Sequence, residues 1–69
     1  MTQTNMVLDY LNDFGSITQL EALRDLGIMR LGARVFELRG RGYDIETDMV
    51  DVKNRYGKTT RIARYRMGE

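Results

Sequence analysis

A chain of 69 residues has room for one domain, expected to span residues 1–69, and for one small core that buries roughly 60% of the surface of the extended chain. With neither cysteine nor histidine it has no disulfide, lacks the usual zinc, haem and iron–sulfur ligands, and lacks the commonest general base and the strongest nucleophile, so no metal, cofactor or enzymatic activity is expected. Its formal net charge of +1 conceals a sorting along the chain, since residues 1–23 carry −3, 24–41 carry +3, 42–51 carry −4 and 52–69 carry +5.

The N-terminus MTQTNM has neither the basic start nor the apolar stretch of a signal peptide, and no apolar run approaches the roughly 20 residues of a membrane span, so a cytoplasmic location is expected. Val7, Tyr10, Leu11 and Phe14 recur at i, i+3, i+4 and i+7, which predicts a first helix over Gln3–Phe14, capped by Thr2 or Thr4 and stopped by Gly15. Ser16 and Ile17 form a short extended link. Thr18-Gln19-Leu20-Glu21 has the form of a capping box and opens a short second helix over about Gln19–Asp25, with Leu20, Ala22, Leu23 and Leu26 inward and Gly27 closing it.

Ile28 and Met29 make a tight connection to a third helix, Arg30–Arg41, which Gly40 and Gly42 end. Its apolar residues Leu31, Val35 and Leu38 share one face and leave Arg30, Arg34, Glu37 and Arg41 on the other, with the small Gly32 and Ala33 near its start. Arg there offers a bidentate fork to guanine, and small residues permit close approach to a groove wall. Glu37 either accepts from cytosine N4 or orients Arg34 or Arg41 by a helical ion pair, the second being preferred.

From Tyr43 the pattern turns extended. Residues 43–53 and 59–67, rich in Ile, Val, Thr and Tyr, flank the turn formers Asn54-Arg55-Tyr56-Gly57-Lys58 and predict a β-hairpin. Pairing Lys53 with Thr59 sets Asp51 against Arg61, Asp48 against Arg64 and Glu46 against Arg66. It also puts Ile45, Thr47, Met49, Ala63, Tyr65 and Met67 on the helix-facing side and the Val50–Ile62 pair outside. Lys53, Arg55 and Lys58 then remain unopposed at the tip, where Asn54 and Tyr56 add hydrogen-bond donors and Gly57 permits close approach: a candidate phosphate clamp. The expected core is Val7, Leu11, Phe14, Ile17, Leu20, Leu23, Ile28, Leu31, Val35, Leu38, Ile45 and Met49.

This order of elements, an α+β arrangement of three helices followed by a C-terminal hairpin, resembles the winged helix-turn-helix domain. More narrowly, ITQLEALRDLGIMRLGARVFELRGRGYDIET followed by VKNRYGKTTRIARY is similar to a family of small helix-turn-helix proteins of bacteriophages and prophages. The resemblance covers about Val7 to Tyr65 and is most specific in LGIMRLGARVFELRGRGY and KNRYGK. It implies a protein of the bacterial host cytoplasm that binds double-stranded DNA, with Arg30–Arg41 as recognition helix and Asn54–Lys58 as wing. Thr18 and Gln19 then lie against phosphate, in keeping with the anion preference of a helix start. A transcriptional regulator or an excisionase-like architectural factor is expected, acting as a homodimer because one protomer offers few base-reading side chains. The alternative is a winged helix that binds protein, such as a phage inhibitor of a host nuclease or defence complex, a reading that the low net charge and the acidic strand favour.

Overall fold

The computed structural model describes residues 2–68; Met1 and Glu69, the ends of the expected domain span, lie outside the described residues. The chain runs α1 (Gln3–Phe14), β1 (Ser16–Thr18), α2 (Gln19–Glu21) continuing as a π-helical segment (Ala22–Leu26), α3 (Leu31–Gly40), β2 (Ile45–Lys53) and β3 (Thr59–Met67).

The ends of α1 follow the sequence. Thr2 caps it by accepting from Asn5 N–H at 3.1 Å, and Gly15 ends it at φ 86°. Thr4, the other candidate cap, is instead buried in the helix. The capping box at α2 is present in both directions: Glu21 N–H donates to Thr18 Oγ1 at 3.2 Å, and Thr18 N–H donates to Glu21 Oε1 at 2.9 Å. Helix α3 closes where Gly42, at φ 99°, lets its own N–H reach the Arg39 carbonyl at 3.0 Å and that of Tyr43 reach the Leu38 carbonyl at 3.1 Å. This left-handed closure occupies Tyr43, so β2 starts at Ile45.

The three strands form an antiparallel sheet in the order β1-β3-β2. The Ser16–Ile17 link is thus an edge strand, with Ile17 opposite Tyr65. The hairpin adopts the expected register, Lys53 opposite Thr59 through Ile45 opposite Met67. Arg61–Asp51 (3.5 Å), Arg64–Asp48 (3.9 Å) and Arg66–Glu46 (2.6 Å) face one another across it, and Arg66 Nε also reaches Asp48 at 2.8 Å.

The core is Val7, Tyr10, Leu11, Ile17, Ala22, Ile28, Leu31, Val35, Leu38 and Ile45, with Met6, Leu8, Leu26, Tyr65 and Met67 packed around it. Four expected members lie outside it. Leu20 and Leu23 are 66% and 48% exposed; after Leu20 the helix widens, the Gly27 N–H reaching the Ala22 carbonyl five residues back, and Gly27 closes the segment at φ 70°. Ala22 is inward as expected, and the wider turn leaves Leu23 outside. Phe14, at the last turn of α1, lies past the core and rests on Tyr10 with ring centroids 4.6 Å apart. Met49 is half exposed and Thr47 exposed, while Val52 and Ile62, from the other side of the hairpin, line a cleft with Leu20 and Leu31. The Val50–Ile62 pair, expected outside, is half-buried.

Truncating Leu38, which is fully buried, should cost about 2–5 kcal/mol. Leu23→Ala should cost less than about 1 kcal/mol. Chemical denaturation of both variants checks the pair, and equal losses would place Leu23 in the core after all.

Candidate nucleic-acid interface

Burying Leu31, Val35 and Leu38 fixes the orientation of every other side chain on α3 at 3.6 residues per turn. Arg34, Glu37 and Arg41 fall on the flank facing α1. Arg34 Nη2 pairs with Glu37 Oε1 at 2.7 Å, Glu37 Oε2 accepts from the Thr4 hydroxyl at 3.1 Å, and Arg41 Nη1 reaches Asn5 Oδ1 at 3.4 Å. The Arg34 side chain is only 30% exposed and its Nε is buried. Of the two roles open to Glu37, the helical ion pair is therefore the one formed.

On the opposite flank Arg39 straps the helix to the sheet, donating to the Ile45 carbonyl (2.7 and 3.0 Å) and to Thr47 Oγ1 (3.0 Å), with its guanidinium 6.0 Å from the centre of the Tyr65 ring. Between the flanks lie Ala33, Phe36 and Gly40, with Arg30 preceding the first turn. Phe36, off the apolar stripe of Leu31, Val35 and Leu38, is 77% exposed. Its spacing from Ala33 and Gly40 was the available signal.

Gln19 has a role its residue type does not announce. Its side chain spans the turn between α2 and α3, donating from Nε2 to the Ile28 carbonyl at 2.8 Å and accepting at Oε1 from Leu31 N–H at 2.9 Å. One of the unpaired amides at the start of α3 is thereby satisfied, and α3 is fastened to the first residue of α2. Its neighbour Thr18 has its oxygen engaged as acceptor in the capping box and keeps a hydroxyl proton to donate.

The hairpin tip is shaped by Asn54. Its Oδ1 accepts from the N–H groups of Tyr56 (2.9 Å) and Lys58 (3.1 Å), its backbone N–H donates to the Lys58 carbonyl, and Gly57 takes φ 76°. Lys53, Arg55, Tyr56 and Lys58 are exposed around this frame. Among the described residues, Arg30, Lys53, Arg55 and Lys58 make no side-chain hydrogen bond or ion pair.

A cleft of about 270 Å³ relates these parts. It is lined by Gln19 and Leu20, by Leu31 and Gly32, and by Val52, Ile62, Ala63 and Tyr65. The starts of α2 and α3 and the strands of the hairpin therefore adjoin, whereas Arg34 and Arg41 lie on the farther flank of α3. Acidic groups gather elsewhere. Asp9, Asp13 and Asp25 line a second cleft of about 330 Å³ with Met6, Tyr10, Phe14 and Leu26. There Arg24 at 2.9 Å and the Tyr10 hydroxyl at 2.7 Å hold the Asp25 carboxyl below its usual pKa, and the same hydrogen bond raises that of Tyr10. Among the described residues no helix is long and apolar enough to cross a membrane.

The sequence profile of a family described as a winged helix-turn-helix domain matches residues 2–69. Neither the curated proteins nor the solved structures give a significant match.

Replacing Gln19 with Ala leaves the Leu31 amide and the Ile28 carbonyl without their partner and should cost roughly 1–3 kcal/mol in urea unfolding. Gln19→Glu, which keeps the acceptor and loses the donor, should fall between Ala and the parent. A Gln19→Ala variant as stable as the parent would show that the bridge does not hold the turn.

Proposed function

The chain belongs to the winged helix-turn-helix domain family, a class of DNA-binding folds, and from that premise we propose that it binds double-stranded DNA sequence-specifically, with α3 in the major groove and the hairpin wing on the phosphate backbone. The observation that carries this reading is the placement of its unpaired cations. Across β2 and β3 the acidic residues are met by arginines, whereas Arg30 at the start of α3 and Lys53, Arg55 and Lys58 on the wing are left without carboxylate partners. Cations that the fold does not use internally remain available to a polyanion, and the cleft joining the helix starts to the wing strands supports a single continuous contact surface.

In this reading Arg30 is the leading base-reading cation, and Ala33 lets the groove wall approach. Glu37 holds Arg34 in one orientation, and Arg41 supplies charge near the end of the helix. Thr18 offers its hydroxyl to phosphate, and Gln19 acts through its backbone and by fixing α3. Lys53, Arg55 and Lys58 hold the sugar–phosphate backbone, Tyr56 donates its hydroxyl, and Asn54 keeps the tip in shape while its amide stays free to donate. The resemblance to small phage and prophage proteins supports a regulator or excisionase-like architectural role in a bacterial cytoplasm. A homodimer on a two-fold site supplies the contact area that one protomer lacks.

Fluorescence polarization with specific and random duplexes across a salt series tests the assignment. Lys58→Ala should weaken binding to all duplexes alike and lower the slope of log K against log salt by about 1. Arg30→Ala should cost roughly 1–3 kcal/mol on the preferred duplex and little on random DNA. Absence of any duplex binding at low salt would move the protein-binding reading ahead.

A further inference from the structure

Helix α3 carries one large apolar side chain that the fold leaves in solvent. Leu31, Val35 and Leu38 are buried, while Phe36 is 77% exposed midway along the helix. Its neighbours on the same face are Gly32 four residues before, Ala33 three before and Gly40 four after, so the ring rises from a low floor. The fold does not require that floor to be so low. A methyl group added at Gly32 meets only the Tyr65 hydroxyl, at an ordinary 3.7 Å, and one at Gly40 meets nothing within 4 Å. Neither glycine has a positive φ.

The charge around the ring identifies its occupant. The helix and its flanks bear Arg30, Arg34, Arg39 and Arg41 against a single carboxylate, Glu37, which Arg34 neutralises at 2.7 Å. An apolar projection bordered by cations complements a groove with polyanionic walls and an apolar group on its floor. In the major groove of DNA that group is the C5 methyl of thymine. We propose, resting on the DNA-binding reading above, that Phe36 is a base-reading side chain whose ligand is the thymine methyl group, so that the preferred site contains a T–A pair recognised by hydrophobic contact alone.

Deoxyuridine isolates this contact, since it keeps every hydrogen-bonding group of thymidine and lacks only the methyl. Duplexes are first enriched from a random pool on the full chain. Each thymine of the winning site is then replaced singly by deoxyuridine and titrated by polarization against the parent, Phe36→Ala and Phe36→Leu. The parent should lose about fourfold in affinity at one or two positions per half-site, the value of one buried methyl. Phe36→Ala should bind thymine and uracil there equally, and Phe36→Leu should retain part of the preference.

A parent indifferent to uracil at every position overturns the proposal. So does a Phe36→Ala variant that keeps the parental thymine-to-uracil ratio. If Phe36→Ala instead alters the sedimentation of the DNA-free protein and leaves that ratio intact, the ring is a contact between copies and the proposal falls. Failure to enrich any duplex from the pool points to a different fault, in the DNA-binding reading itself. Because the ring is largely exposed, its removal should leave the thermal unfolding of the free chain nearly unchanged, so loss of binding is separable from loss of fold.

Discussion

Three side chains, Leu31, Val35 and Leu38, are almost wholly withdrawn from water along one side of α3, and their burial decides where the rest of that helix points. With no cysteine to crosslink it, the orientation rests on this stripe, on the Glu37–Thr4 and Arg41–Asn5 contacts with α1, and on two polar fastenings at its ends. One is the Gln19 side chain at the N-terminal end of α3, the other the Arg39 guanidinium reaching the Ile45 carbonyl at the C-terminal end. A helix held at both ends and along one face presents its remaining residues in fixed positions. That is the condition for side chains to meet a ligand without first losing much freedom.

The fold was legible in the sequence wherever a period or a turn residue carried the information. The i, i+3, i+4, i+7 spacing from Val7 to Phe14 located α1, and Thr18 with Glu21 marked the start of α2. The opposed charges of β2 and β3 selected one hairpin register over its one-residue slip. What failed was the rotation of the second helix. An α-helical period continued through Leu20 and Leu23 puts both in the core, but a π-type bond from Gly27 N–H to the Ala22 carbonyl adds a residue to the turn that carries Leu23. Nothing in ALRDL signals that widening. Met49 failed for a different reason. Strand alternation tells which residues share a side of a sheet, and not which side the helices approach at each point along it.

At the candidate site the residue types were readable and their commitments were not. Arg30, Arg34, Arg39 and Arg41 are equivalent as letters, yet one is unpaired, one is tied to Glu37, one is spent on the sheet and one leans on Asn5. The Arg34 partner stands three residues on, within reach of a helical-pair reading, but those of Arg39 and Arg41 lie 6 and 36 residues away, so only the folded chain reveals them. The same holds for Gln19, whose two bonds reach 9 and 12 residues along the chain.

The sheet order β1-β3-β2 leaves β2 as an outer strand nine residues long, open along one side beyond the Ile45 carbonyl that Arg39 covers. Such an edge invites another strand to add to it, in the folded protein or in a partly unfolded one. The acidic run of β2, which lowers the net charge of the molecule, gives this edge Glu46, Asp48 and Asp51, while the central strand β3 carries the arginines that answer them. A second β2 arriving edge to edge brings carboxylates against carboxylates. The residues that lower the net charge of the molecule thus guard its open edge against strand addition.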